Sequence, residues 1–92
     1  MGETIVNENG TITYTVDKTK LSLTKMQDMV GGYIQLVYDD GETQIICNEE
    51  GKLDGKPENE GATDLWHDLN EDAWVDYLVG DVLILKGKAR MD

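Results

Sequence analysis

Two consecutive glycines, Gly31 and Gly32, place the strongest constraint on how this chain can fold. They separate an amphipathic segment that ends at Val30 from an apolar segment that begins at Tyr33. A glycine can adopt the left-handed conformation that ends a helix, and a second glycine frees the chain to turn into a strand. The sequence therefore predicts a helix that stops at Gly31 and is followed directly by a strand over residues 33–38.

The amphipathic segment before the glycines has the signals of a helix start. Ser22 is a suitable N-cap because its hydroxyl can accept a hydrogen bond from a free amide of the first turn. Thr24 with Gln27 offers a capping box as an alternative. Spacings of three and four residues place apolar side chains on one side of such a helix. The predicted buried face consists of Leu23, Met26 and Val30.

Two apolar segments after the glycines predict a β-hairpin. The first covers residues 33–38 and the second covers residues 42–48, and Asp-Asp-Gly at 39–41 joins them. Glycine suits the positive φ of a tight connection of this kind. Alternation along the first strand predicts Ile34, Leu36 and Tyr38 on one face, with Tyr33, Gln35 and Val37 on the other.

Strand patterns also occur near both ends of the chain. Residues 11–16 alternate between threonine and apolar side chains, which is the period of a half-buried strand. An Asn-Gly turn signal at 9–10 predicts that this strand pairs with residues 5–6. Residues 82–85 form a continuous apolar run, which is typical of a short buried strand. The basic residues of 86–92 form a tail that we expect to fray.

The middle of the chain is polar at first and then carries both tryptophans. Several glycines and the single proline predict a loop over residues 48–57. Asn59 or Thr63 is a candidate cap for a short helix that runs through Trp66. A further helical turn starting at 70–72 is expected to place Trp74, Tyr77 and Leu78 on one side.

The spacing of the two tryptophans makes a further prediction. Trp66 and Trp74 are eight residues apart, so a continuous helix would place both on nearly the same face and in the core. An exposed tryptophan would instead be a natural interface anchor.

These elements together predict an α+β fold in a single domain over residues 1–92. We expect an antiparallel sheet of four to five strands with one to three short helices packed on one face. The N-terminal hairpin would occupy 1–20, the core 22–85 and the tail 86–92. A chain of 92 residues has room for one modest core.

The formal net charge of -11 restricts the classes of partner. An acidic surface repels phosphate backbones and anionic lipids, so we expect no direct binding to nucleic acid or to membrane surfaces. No stretch approaches the ~20 apolar residues of a membrane span, and the first residues lack the pattern of a signal peptide. The acidity serves solubility, or it forms a negative face that meets a basic site on a partner such as a nucleic-acid-binding protein.

The residues that usually carry chemistry are sparse. Cys47 is the only cysteine, which fits a reducing cytoplasm, and inside an apolar strand it is expected to be an inert hydrophobic side chain. His67 could act as a general base, but no nucleophile or second catalytic group is identifiable near it. Positions 68, 70 and 72 are spaced like the start of a calcium loop, but Ala73 and Val79 stand where its glycine and glutamate should be. We therefore expect no metal and no cofactor.

The polar loop after the second hairpin strand is the best candidate for a binding site. Lys52 is a rare positive charge that could bind a carboxylate or phosphate, while Asn48 could form hydrogen bonds with a polar edge of a ligand. The alternative is a structural turn in which Asn48 bonds its own backbone and Gly51 adopts positive φ. The candidate ligand- or partner-binding residues are Asn48, Glu49, Lys52, Asn59 and Thr63.

Four short motifs carry a family resemblance. They are Val-Gly-Gly-Tyr-Ile at 30–34, Asn-Glu-Glu-Gly-Lys-Leu at 48–53, Asn59 with Ala-Thr at 62–63, and Val-Gly-Asp-Val-Leu-Ile at 79–84. In this order they resemble DUF3846, a family of small domains of unknown function encoded by bacteriophages, cyanophages among them, and by plasmids. The resemblance covers the C-terminal three-quarters of the chain. It implies a phage-type origin and a layout, but no activity, and residues 66–77 look longer than the usual connection in the family.

These observations favour a phage-type accessory protein that binds a host or phage protein without catalysis. We expect a monomer in the cytoplasm of the infected host cell. One form of this hypothesis is an acidic decoy that occupies a nucleic-acid site, with affinity that vanishes in moderate salt. The alternative is a small-molecule or nucleotide-binding module that uses the loop at 48–52. A third hypothesis is an enzyme centred on His67 or on the acidic residues, and it requires a second titratable group within hydrogen-bond reach of the imidazole.

Overall fold

A five-stranded mixed sheet with the strand order β1-β2-β5-β4-β3 forms the centre of the molecule. The computed structural model describes residues 2–7, 10–16 and 21–91. The strands are β1 (Gly2–Asn7), β2 (Gly10–Val16), β3 (Ile34–Asp39), β4 (Thr43–Asn48) and β5 (Val82–Lys86). The helices are α1 (Leu23–Val30), α2 (Glu60–Leu69) and two 3₁₀ helices, Glu71–Val75 and Gly87–Ala89. The α+β class predicted from the sequence is confirmed.

The pairing of the strands differs from the prediction at one position. The pairs β1–β2, β3–β4 and β4–β5 are antiparallel, as expected, but β5 runs parallel to β2. The chain returns from α2 into the space between β4 and β2, and this return gives β5 the direction of β2. The predicted N-terminal hairpin is present, although its connection at residues 8–9 lies outside the described part of the chain.

Helices cover both faces of the sheet, so the prediction of helices on one face was wrong. On the α1 face, α1 packs against alternate side chains of β4 and β5; on the α2 face, α2 and the first 3₁₀ helix pack against the other side chains of these strands. This two-sided burial explains why 82–85 is apolar without alternation. The α1-face cluster contains Met26, Val30, Ile46, Leu83, Leu85 and Ala89. The α2-face cluster contains Ile12, Ile45, Cys47, Ala62, Trp66, Ala73, Leu78, Val82 and Ile84.

The helix stop at the two glycines is confirmed. The Ser22 hydroxyl accepts a hydrogen bond from the Lys25 amide at 3.1 Å, as an N-cap does. Gly31 adopts a left-handed φ of 82°, and the amides of Gly31 and Gly32 both donate to the Gln27 carbonyl. Met26 and Val30 are buried as predicted, but Leu23, in the first turn of α1, remains exposed.

A β-bulge interrupts the predicted alternation of β3. Leu36 lies opposite Ile46 and Tyr38 lies opposite Ile45, so Val37 is the extra residue. The side chains of both Val37 and Tyr38 consequently pack against the α2-face cluster, whereas the alternation placed them on opposite faces.

The connection between β3 and β4 is held by the carboxylate of Asp40. This carboxylate accepts hydrogen bonds from the amides of Glu42 and Thr43 and from the hydroxyl of Tyr38, each at 2.8 Å. The bonds from Thr43, Glu42 and Tyr38 hold the pKa of Asp40 below its usual value, while the contact with Asp40 raises the pKa of Tyr38. The tight connection predicted at 39–41 is therefore confirmed, with positive φ at Gly41.

The second helical segment breaks at Asn70, where the sequence predicted the start of a further helical turn. Asn70 has extended φ and ψ of -139° and 98°; it ends α2, and its side chain caps the 3₁₀ helix that follows. Trp66 is 7% exposed and belongs to the core, but Trp74 is 72% exposed. The interpretation that places Trp74 in the core with Trp66 was therefore wrong, because the break changes the direction in which later side chains point. Tyr77, which was expected on the same side as Leu78, is exposed. Leu78 is buried as predicted.

The tail does not fray within the part that the structure describes. Ala89 is buried in the α1-face cluster, and Met91 packs against it. The Met91 amide donates to Gln44 Oε1 at 2.6 Å, and Gln44 Nε2 donates to the Met91 carbonyl at 3.0 Å. Because Gln44 is itself buried in β4, these two bonds fix residues 87–91 against the sheet.

Candidate functional site

A cleft of about 160 Å³ lies beside the polar loop that follows β4. Val37, Cys47, Trp66 and Leu78 give it an apolar lining, and Glu49, Lys52 and Asp76 give it charged groups. The remaining lining residues are Gln35, Asn48, Leu53, Tyr77 and Val79. The strands β3 and β4, the helix α2 and the segment after the first 3₁₀ helix all contribute to it, so the folded sheet and its α2 layer define its shape.

Lys52 joins the loop to the opposite side of the cleft. Its ammonium group pairs with the carboxylate of Asp76 and lies 4.3 Å from the ring centroid of Tyr77. The hydrogen bond from Lys52, followed by that from the Tyr77 amide, lowers the pKa of the Asp76 carboxyl. Lys52 is thus already occupied by an acidic partner, and a ligand phosphate would have to compete with Asp76 for it.

Asn48 has a structural role at the end of β4. Its Nδ2 donates to the carbonyl of Val30 at 3.3 Å, and its Oδ1 accepts from the Glu50 amide at 2.8 Å. A Cβ on Gly32 would lie 2.9 Å from Asn48 Nδ2, so the glycine allows this close approach. The bond to Glu50 is the structural turn that the sequence suggested, but Gly51 is not among the glycines with positive φ.

Glu49 is exposed beside Asn48 and lines the same cleft. Its amide donates to the Tyr33 carbonyl at 2.8 Å, which extends the β3–β4 pairing by one bond. The structure thus brings Asn48, Glu49 and Lys52 together at one cleft.

Asn59 and Thr63 lie elsewhere, and both are buried. Asn59 caps α2: its Oδ1 accepts from the Ala62 amide at 3.1 Å, while its Nδ2 donates to the Gly80 carbonyl at 2.8 Å. The Thr63 hydroxyl accepts from the Leu78 amide and donates to the Leu78 carbonyl, at 2.9 Å and 3.3 Å. Neither side chain lines the cleft, so the structure does not place them with the other three candidates.

His67 contacts the main chain rather than a second titratable side chain. Its Nε2 lies 2.8 Å from the carbonyl oxygen of Asp76. Among the residues that the structure describes, no side chain is within hydrogen-bond reach of the imidazole. The arrangement that the catalytic hypothesis requires is therefore not formed in that part of the chain.

Cys47 and Trp66 form the inner wall of the cleft. Burial raises the pKa of the Cys47 thiol to about 11, and its Sγ lies 4.0 Å from Gln35 Oε1. A thiol with such a pKa carries almost no thiolate near neutral pH. The Nε1 of Trp66 is a buried donor without a hydrogen-bond partner among the described residues. No group of three metal-ligating side chains occurs in the described ranges either.

A second, broader cleft of about 550 Å³ lies at the C-terminal end of α1. Gly31 and Gly32 form its backbone wall, and the exposed ring of Tyr33 borders it. Its carboxylates come from Asp28, Glu50 and Asp54. Asn48 lines both clefts and lies between them.

Sequence reasoning missed the residues that face Lys52. Asp76 was not singled out, and Tyr77 was expected beside Trp74 and Leu78 rather than at the loop. A lysine in an acidic segment signals that a carboxylate partner exists, but the sequence offers many candidates. Only the break at Asn70 brings residues 76 and 77 back toward the loop.

Comparison with known proteins identifies a family but no individual relative. The family model "Domain of unknown function (DUF3846)" matches residues 3–92. The match extends to the N-terminal hairpin, which the motif resemblance did not cover. No curated protein and no solved structure matches the chain. No helix in the described part of the chain is both long and apolar enough to cross a membrane.

Proposed function

Since the chain belongs to the DUF3846 family over residues 3–92 and the family carries no established activity, we propose that the protein is a phage-type accessory protein that binds a host or phage protein without catalysis. The four motifs between residues 30 and 84 support the phage-type origin. In this proposal the protein acts in the cytoplasm of the infected cell, where a single buried thiol needs no disulfide partner.

The observation that carries the proposal is the uneven distribution of charge. Residues 49–81, which we call the acidic segment, contain eleven of the nineteen acidic residues and two lysines. A net charge of -9 out of -11 thus falls in about a third of the chain. All eleven acidic residues are exposed: Glu49, Glu50, Asp54, Glu58, Glu60, Asp64, Asp68, Glu71, Asp72, Asp76 and Asp81.

The helix α2 arranges part of this charge in a row. Glu60, Asp64 and Asp68 are spaced by four residues, so they share one helical face, with an axial separation of about 6 Å between neighbours. The opposite face of α2 buries Ala62, Thr63 and Trp66. The row therefore points away from the core. Regularly spaced charges on a rigid helix are suited to meet a basic groove that otherwise holds a phosphate backbone.

An acidic decoy of nucleic acid is the form of protein binding that this arrangement favours. The basic residues that follow β5 lie apart from the acidic row of α2, because Ala89 packs on the α1 face while Ala62 and Trp66 of α2 pack on the α2 face. Lys52 is neutralised by Asp76, which leaves Lys56 as the other cation of the acidic segment. Among the residues that the structure describes, a basic partner consequently meets little opposing charge beside α2.

The proposal is tested by capture from host-cell lysate with tagged protein at increasing salt. We expect bound proteins to be enriched in nucleic-acid-binding proteins, and to be released between about 0.05 M and 0.3 M salt as screening increases. A double variant, Asp64→Asn with Asp68→Asn, is expected to lose most of this binding. The matched control, Asp28→Asn with Glu42→Gln, changes the net charge equally outside the acidic segment and should retain it.

Two results would contradict this proposal. Binding that persists at high salt removes the decoy form, and equal losses in the two double variants show that only the net charge matters. Failure to capture any protein at low salt would remove protein binding as the function.

A small-molecule or nucleotide-binding module is the second candidate, because a cleft exists at the loop containing Asn48, Glu49 and Lys52. Its test is a thermal-shift screen with nucleotides and metabolites, since a ligand that binds the native state raises the unfolding temperature. A shift that Lys52→Ala abolishes would favour this candidate. The absence of any shift at millimolar ligand would remove it.

A further inference from the structure

Four exposed apolar side chains lie around the mouth of the 160 Å³ cleft or beside it in the chain. Leu53 and Tyr77 line the cleft and are 88% and 43% exposed, while Val75 and Trp74 precede Tyr77 and are 73% and 72% exposed. We call these four residues the apolar rim. A tryptophan this exposed in a small acidic domain is unusual, since burial of its ring would stabilise the fold. Clustered exposed apolar residues mark interaction surfaces.

The cleft inside the rim has the size of one side chain. An apolar cavity of about 150 Å³ holds a benzene molecule in other proteins, and this cleft measures about 160 Å³. Its inner wall is formed by Val37, Cys47, Trp66 and Leu78. Gln35, Asn48, Glu49, Lys52 and Asp76 add polar groups to the lining, so it is the apolar wall that suits a phenyl ring or a branched aliphatic group.

In the sequence, carboxylates precede and follow the residues of the rim. Glu49, Glu50 and Asp54 flank Leu53, and Glu71, Asp72 and Asp76 flank the 74–75 pair; all six are exposed. Lys52 lines the cleft, and its charge is paired with Asp76. In a dimer formed through the rim, the carboxylates of one copy would face the same carboxylates of the other copy. Like charge therefore opposes self-association through the rim.

We propose that the cleft and the apolar rim bind a short segment of a partner protein in which one large apolar side chain is flanked by lysine or arginine. The apolar side chain enters the cleft, Trp74 and Leu53 cover it, and the flanking cations meet the carboxylates of the acidic segment. This inference rests on the proposed protein-binding function and specifies its contact surface. It adds an apolar anchor to the charge contacts, and the charge contacts keep the binding dependent on salt.

The test uses three synthetic peptides and the intact protein. The first peptide has a central phenylalanine with two lysines on either side; in the second, serine replaces the phenylalanine; in the third, glutamine replaces the lysines. Affinities are measured by fluorescence anisotropy, and quenching by acrylamide reports how accessible Trp74 is. We expect the first peptide to bind at least about tenfold more tightly than either control, and to protect Trp74 from the quencher.

Substitutions in the protein test which side chains contact the peptide. Trp74→Ser and Leu53→Ser are each expected to weaken the first peptide about tenfold, and binding of the serine peptide should not change. Leu23→Ser is the control, since Leu23 is an exposed leucine on α1, away from the cleft lining. The quenching measurement on the unaltered protein keeps the test valid should a variant unfold.

The outcomes separate this inference from the proposed function. If the phenylalanine and serine peptides bind equally, with no protection of Trp74, the anchor is refuted while charge-driven capture stands. If no peptide binds, the inference is refuted, and lysate capture alone decides the proposed function. If Leu23→Ser weakens binding of the first peptide as much as Trp74→Ser does, the inference is also refuted.

Discussion

Asn48 illustrates how a residue that looks like a ligand contact can serve the fold. Its amide joins the last carbonyl of α1 to the start of the loop after β4, and it occupies the space that Gly32 leaves open. The bond to Val30 is buried and connects α1 to the end of β4, while the bond to Glu50 is local and shapes the turn that follows. Asn48 also lines both clefts.

Asn48→Ala is expected to lower the free energy of unfolding by about 1–3 kcal/mol, because it leaves the Val30 carbonyl and the Glu50 amide without these partners. Urea unfolding followed by circular dichroism measures the change. Glu49→Ala, at the exposed neighbouring position, should stay within about 0.5 kcal/mol of the unaltered protein. Equal effects of the two substitutions would contradict the structural role of Asn48.

Cys47 gives a prediction that depends on pH. Its thiol has an ordinary pKa near 9, which burial raises to about 11 in the folded protein. Between these values the unfolded chain releases the proton and the native state keeps it, so stability should fall as pH rises from 9 to 11. Thermal unfolding across this range measures the fall.

Cys47→Ala is the control for this pH dependence, since it removes the thiol and retains the other titrating groups. Its stability should fall less steeply between pH 9 and 11. In the native protein at pH 8, iodoacetamide should react with Cys47 at a small fraction of the rate seen in urea. Rapid alkylation of the folded protein would show that the thiol is accessible.

The elements that the sequence predicted well are those with local signals. The Ser22 cap, the left-handed Gly31 and the Asp-Asp-Gly connection each act within a few residues, so α1 and the β3–β4 hairpin could be placed before the structure was known. The run at 82–85 likewise identified β5. Its apolar character predicted a buried strand, but it did not show that helices cover both faces or beside which strand β5 lies.

The elements that were predicted wrongly depend on contacts between distant segments. The Val37 bulge depends on register with β4, and the parallel pairing of β5 depends on where the chain returns to the sheet. The break at Asn70 is the most consequential error. The sequence predicted that a new turn starts at this asparagine. Its extended backbone ends α2 and points the next turn in another direction, which leaves Trp74 outside the core.

The same reasoning accounts for the candidate site. Asn48, Glu49 and Lys52 are neighbours in sequence and could be grouped from it, whereas their counterparts Asp76 and Tyr77 come from 24 or more residues away. Asn59 and Thr63 were grouped with the loop by the family motifs. The structure instead gives them buried bonds that connect α2 to residues 78–80.

Thr63→Val tests that connection between two elements. The substitution keeps the side-chain shape but removes the hydroxyl that bonds both the amide and the carbonyl of Leu78. We expect a loss of about 1–3 kcal/mol in unfolding free energy, together with faster amide exchange at Leu78. Thr24→Val, at an exposed position of α1, is the matched control and should change stability by less than about 0.5 kcal/mol. Unchanged exchange at Leu78 would refute the connection.

At the scale of the whole molecule, the two layers that cover the sheet differ in charge. The helix α2 and the 3₁₀ helix after it belong to the acidic segment, which has a net charge of -9, and the rest of the chain carries the remaining -2. Like charges at four-residue spacing on a helix destabilise it by about 0.2–0.5 kcal/mol a pair. The row at Glu60, Asp64 and Asp68 therefore costs stability, which is the arrangement expected where charge serves binding.

This asymmetry predicts opposite effects of salt on folding and on binding. Salt screens the repulsion within the acidic segment, because the Debye length falls from about 30 Å at 0.01 M to about 10 Å at 0.1 M. The unfolding temperature should therefore rise by roughly 2–8 °C over this range, which corresponds to about 0.5–1 kcal/mol in a domain of this size. Differential scanning calorimetry measures the rise, and lysate capture follows binding under the same conditions.

The two double variants provide the control for this effect. Asp64→Asn with Asp68→Asn should reduce the salt-dependent rise, since it removes the repelling row, whereas Asp28→Asn with Glu42→Gln should leave most of it. In the Asp64→Asn with Asp68→Asn variant, partner binding should weaken although the protein becomes more stable. The loss of binding therefore cannot be attributed to unfolding. A protein that loses stability with salt, or one whose two double variants respond alike, would show that the acidic segment does not act as a unit.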